Sequence, residues 1–65
     1  MDAKKIGEKL RKLRGKTPVV EFAKKLGVSP SAIYMYETGE RVPNDVTKSK
    51  YAKIFKTTVD KLFFK

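Results

Sequence analysis

VVEFAKKLGVSPSAIYMYETGER, residues 19–41, holds two helical patterns on either side of one glycine. Apolar side chains recur at Val19, Phe22, Ala23 and Leu26, the spacing of a single helix face. Gly27 follows, with the backbone freedom that a sharp corner needs. Val28 returns to the core, Ser29 is placed to cap a new helix, and Pro30 suits its first position. At about 3.6 residues per turn, Ile33, Tyr36 and the aliphatic part of Glu37 fall on one side of that second helix. Pro30, Ser31, Tyr34, Met35 and Thr38 fall on the other. Gly39, just past Thr38, ends the helix in the left-handed conformation that glycine tolerates.

Two helices joined by a short turn with a glycine in it form the helix-turn-helix arrangement, whose second helix enters the major groove of DNA. The spacing is demanding. A small residue, Ala23, is needed where the helices cross, with Gly27 at the turn and a branched apolar residue, Ile33, beyond it.

The run GVSPSAIYMYETGERVP resembles the recognition half of the XRE family, the group of the lambdoid phage repressors and Cro proteins. PND and YAKIFKTTVDKLFF are similar to the fourth and fifth helices of that fold, so the resemblance covers Ile6 to Phe64. It implies an all-α, compact five-helix, lambda-repressor-like domain and a DNA-binding transcriptional regulator, commonly dimeric. It also implies that Arg14 pairs with Glu37, because family members match an arginine and a glutamate at these places. Two departures stand out. The link RGKTPV between the first two helices is about two residues shorter than the family pattern, and Val19 stands where many members carry a phosphate-contacting glutamine.

Composition points the same way less specifically. Sixty-five residues make one domain, 1–65, with a small core. The chain has no cysteine and no histidine, which excludes disulfides and zinc fingers. No apolar run reaches the length of a membrane span and no signal-peptide core is present, so a soluble, cytoplasmic protein is expected. A formal net charge of +9 favours a polyanionic partner.

In chain order, residues 2–14 predict an amphipathic helix with Ile6, Leu10 and Leu13 on one face. Gly15 stops it, and Thr17-Pro18 is expected to start the next helix, with threonine as its cap. Beyond the loop Glu40–Pro43, Asn44 and Asp45 offer capping chemistry for a fourth helix reaching about Phe55. Tyr51, Ala52 and Phe55 face inward there, while the polar run Lys48-Ser49-Lys50 predicts a loosely packed first turn. Thr58 and Asp60 suit the start of a short fifth helix, Val59 to Phe64.

The base-reading residues expected from this layout are Pro30, Ser31, Tyr34 and Met35. Thr17, Ser29, Thr38, Arg41 and Asn44 are the phosphate candidates. Arg14 and Glu37 form the structural pair. The partner is then a double-stranded DNA operator, bound by a homodimer at least on DNA, with Val42, Phe63 and Phe64 as candidate dimer contacts and the two phenylalanines equally candidates for the core. No membrane, small-molecule substrate, metal or cofactor is expected. Nor is an enzyme, since the usual bases and nucleophiles are missing and the acidic residues form no close pair. The rival reading is a protein-interaction module, antirepressor- or antitoxin-like, that keeps the fold. Tyr34 and Met35 favour it, because they are typical interface side chains and the helix lacks the Arg, Gln or Asn of bidentate base contacts. RNA binding ranks third, without an aromatic stacking platform.

Overall fold

The computed structural model describes residues 2–64, and within them the chain forms five helices. These are α1 (Ala3–Arg14), α2 (Val19–Leu26), α3 (Pro30–Thr38), α4 (Asp45–Ile54) and α5 (Val59–Phe63). Four of the five begin on a side-chain cap, which satisfies amide groups that a helix start leaves open. Asp2 accepts from Lys4 and Lys5 N–H, Ser29 from Ala32, Asn44 from Thr47 and Thr58 from Lys61. The exception is α2. Thr17 does not cap it; Pro18 occupies the cap position with no side-chain hydrogen bond, and its carbonyl takes the first helical bond, from Phe22 N–H at 3.0 Å. The backbone carbonyl of Thr17 is drawn instead to Arg14, whose Nη1 donates to it at 2.7 Å.

Each of the first four helices supplies one of the largest fully buried side chains, Leu10, Leu26, Ile33 and Tyr51. Leu62 and Phe63 of α5 close the same cluster. Tyr51 is its hub: its ring lies 5.7 Å from Phe22, 6.2 Å from Tyr36, 6.1 Å from Phe55 and 6.0 Å from Phe63, centroid to centroid. The ring therefore joins α2, α3 and α5 to α4. Its hydroxyl is buried without a hydrogen-bond partner among the described residues. Burial, and to a lesser degree the Glu37 carboxylate, push its pKa well above the ordinary tyrosine value.

Two outcomes are expected from that orphan hydroxyl. Tyr51→Phe keeps every ring contact and removes the unsatisfied polar atom, so it should raise stability by about 1 kcal/mol, or about 4–8 °C in Tm for a domain of this size. The wild type should also lose stability as pH rises past about 10, because the unfolded tyrosine ionises there while the buried one resists. Thermal melts at neutral and alkaline pH check both. A Phe variant that melts lower than wild type at pH 7 means the hydroxyl finds a partner after all.

Two further expectations are corrected by the packing. Leu13 is 42% exposed, since the buried stripe of α1 runs through Ile6, Gly7 and Leu10 rather than turning toward Leu13. The first turn of α4 is not loose, for Thr47 and Lys48 are both buried. The stem of Lys48 supplies apolar cover, and its Nζ lies 4.9 Å from the Phe64 ring centre and 5.6 Å from that of Phe63. The fifth helix ends at Phe63, one residue short of the expected limit, with Phe64 as its cap. No helix among the described residues is long and apolar enough to cross a membrane.

Candidate nucleic-acid interface

The α2–α3 corner is built by local chemistry at both of its bends. Gly27 closes α2 at a φ of 77°, and its N–H returns to Ala23 O at 2.8 Å. Ser29 then opens α3, its Oγ accepting from Ala32 N–H at 3.2 Å, with Pro30 at the first helical position. Ala32, Ile33 and Tyr36 are buried on the inner side of α3. On the outer side Pro30, Ser31, Tyr34 and Thr38 are exposed and Met35 is half-buried; Tyr34 is open over 57% of its surface. That is a large aromatic side chain held in solvent by a helix whose other face is fixed in the core.

The far end of α3 is fixed as firmly. Gly39 has a φ of 83°, and Arg41 N–H reaches back to Met35 O at 3.2 Å, which holds Arg41 against the helix end. The same carbonyl accepts from Thr38 Oγ1 at 3.3 Å. Gly39 also passes close to α1. A side-chain carbon on it would sit 2.9 Å from the Lys4 Cα.

Between these ends, Arg14 and Glu37 meet in a two-point contact. Arg14 Nε donates to Glu37 Oε2 at 2.7 Å and Nη2 to Glu37 Oε1 at 3.1 Å, with side-chain exposures of 9% and 6%. The Glu37 hydrogen bond is the largest influence on Arg14 and raises its pKa, so the guanidinium stays charged. With Nη1 on Thr17 O, one side chain of α1 ties together the α1–α2 link and α3. Val19, where the family often has glutamine, is half-buried against the core.

Gly7 was not singled out by the sequence reading, yet it sets how close α1 comes to α3. A side-chain carbon on it would lie 2.4 Å from Glu37 O and 2.6 Å from Tyr36 O. The available signal was a lone glycine inside an otherwise helical pattern, which often marks a close backbone approach. At the other side of the domain, Lys9 Nζ donates to Lys61 O and Leu62 O, each at 3.4 Å, and anchors the end of α5 to α1.

The other candidate residues scatter around this frame. Ser29 and Arg41 flank α3 and are exposed. Asn44 is exposed at the start of α4, its Oδ1 occupied by Thr47 N–H at 2.9 Å. Thr17 is half-buried beside Arg14. Among the dimer candidates, Phe63 is buried in the core, whereas Phe64 is 55% and Val42 38% exposed. Charge is distributed unevenly: α1 carries six lysines and arginines, and α3 carries none. No group of three or more histidine, cysteine or acidic residues capable of holding a metal ion occurs among the described residues.

A family model described as helix-turn-helix matches residues 8–62. No curated protein and no solved structure matches the chain.

Proposed function

The chain belongs to the Cro/C1-type helix-turn-helix family of DNA-binding regulators, and we propose that it binds a specific double-stranded operator with α3 in the major groove. The carrying observation is the outer face of α3: Tyr34 stands in solvent on a helix whose inner face is locked into the core and whose two ends are pinned. Such a helix presents side chains in one fixed arrangement, as reading base edges requires. Pro30, Ser31, Tyr34 and Met35 are the readers. Arg41, Ser29, Asn44 and Thr17 hold phosphates, the first two from opposite ends of α3. Thr38 joins them only by releasing Met35 O, because its hydroxyl proton is engaged there.

One such domain touches too few base pairs for high specificity. Two copies on half-sites about 34–36 Å apart supply the rest. The protein is therefore a homodimer on DNA, with the exposed Phe64 and Val42 available at its surface.

The absence of any cation on α3 favours a second reading, in which this face meets a protein partner. Selection of bound sequences from random duplex DNA separates the two. A two-fold symmetric consensus is expected, with log affinity falling linearly in log salt at about −0.9 per phosphate contact. Tyr34→Ala and Met35→Ala should then shrink the ratio of specific to non-specific affinity by about 1–3 kcal/mol, while Arg41→Ala weakens both and lowers the salt slope by about one unit. Loss that is uniform across sequences for all three variants removes α3 as the reader, and no duplex binding at low salt favours the protein partner.

A further inference from the structure

Resting on the reading of α3 as the groove helix, we infer that it recognises thymine methyl groups rather than the hydrogen-bonding edge of guanine or adenine. The outer face offers no guanidinium, ammonium or carboxamide, which are the groups that make two-point contacts with guanine or adenine. The single acid of α3, Glu37, lies on its inner side and is spent on Arg14. The polar atoms at the helix ends are partly engaged, Ser29 keeping its own hydroxyl proton for a phosphate. Ser29 Oγ caps Ala32 N–H, and Thr38 Oγ1 donates to Met35 O. With its hydroxyl proton turned back to the helix, Thr38 presents its methyl and the remaining lone pairs of its Oγ1.

What remains on the surface is the ring of Pro30, the ring of Tyr34, the thioether of Met35 and that methyl, with the Ser31 and Tyr34 hydroxyls between them. In the major groove one natural base offers an apolar group to such a face, thymine through its C5 methyl. Tyr34 is the largest exposed apolar group on that face, with the half-buried Met35 next to it in sequence. The ligand class that fits is an operator half-site with thymines at its contacted positions and no obligatory guanine under α3. The two hydroxyls accept or donate at any base and therefore fix register more than identity.

The test uses the duplex recovered by selection and changes one atom group at a time. Deoxyuridine for thymine removes the methyl alone; 7-deazaguanine for guanine removes only the N7 acceptor. Each contacted methyl lost to uracil is expected to weaken binding about fourfold, the equivalent of failing to bury one CH2 group. Adding the methyl back through 5-methylcytosine, at a position where cytosine replaces thymine, should recover most of that loss. In Met35→Ala or Tyr34→Ala the uracil penalty at the matching position should fall to about twofold or less, with folding verified by an unchanged melting temperature. A site that tolerates uracil throughout yet is weakened by 7-deazaguanine beneath α3 overturns the thymine assignment while leaving DNA binding in place. A pool with no enriched sequence overturns the operator reading itself.

Discussion

Glu37→Ala is expected to cost the fold about 3–5 kcal/mol, the usual consequence of stranding one member of a buried ion pair. Arg14 would keep one acceptor, Thr17 O, and lose two charge-assisted bonds at 2.7 and 3.1 Å. Its guanidinium, 9% exposed, cannot turn to solvent without leaving the α1–α2 link. A chain of 65 residues has only about 3–10 kcal/mol of stability in total. The single substitution should therefore leave a large unfolded fraction at physiological temperature. Arg14→Met should be comparably damaging, because it leaves a carboxylate that is 6% exposed. The double variant Arg14→Met/Glu37→Leu should recover most of the loss, since apolar replacements of a buried pair are often neutral. Urea unfolding of the wild type, Arg14→Met, Glu37→Leu and the double variant closes the cycle and gives the coupling, expected at about 2 kcal/mol or more. Additive losses would show that the two side chains are not one energetic unit, and that α3 is held by packing alone.

The α2–turn–α3 unit was legible because each of its signals is local. The apolar spacing from Val19 to Leu26, the left-handed Gly27 and Gly39, and the Ser29-Pro30 start all act within a few residues of where they stand in the chain. The caps Asn44 and Thr58 were readable for the same reason. Thr17 misled because α2 begins one residue too late for it: Pro18 takes the cap position, and Thr17 lies in the link, where its backbone carbonyl accepts from Arg14 Nη1. A threonine before a proline has the chemistry of a cap but not, here, the position.

Lys48 shows a second limit. A lysine counts as polar in any periodicity, yet its four-carbon stem is an apolar surface, and two phenylalanine rings meet its ammonium. Nothing in residues 48–50 alone says that α5 arrives at that point. The outer face of α3 belongs to both categories. Which residues point outward follows from helical period. That Thr38 turns its hydroxyl inward becomes visible only once Met35 O is located at the helix end.

Leu13 leads to the substitution with the other large expected effect. By spacing alone it belongs to the stripe of Ile6 and Leu10, but α3 approaches α1 across Gly7, which rotates the buried side away from Leu13. Gly7→Ala therefore sets two opposed effects against each other. Alanine is favoured over glycine inside a helix by about 1 kcal/mol. Against that, the added carbon would lie 2.4 Å from one backbone carbonyl oxygen of α3 and 2.6 Å from the next. Neither atom can swing aside as a side chain would, so the helices must part by roughly an ångström, a cost toward or beyond the upper end of the 1–3 kcal/mol typical of overpacking. The separation would also stretch the Arg14–Glu37 bonds and the contact of Gly39 with Lys4. A net loss of about 2 kcal/mol or more is expected for alanine, and more for valine, which adds two further carbons and a helix penalty. Urea unfolding with an unchanged m-value would attribute the loss to the native state. Gly7→Ala melting at or above the wild-type temperature would mean that α1 and α3 stand apart far enough to admit a methyl group, and that Gly7 is not what sets their approach.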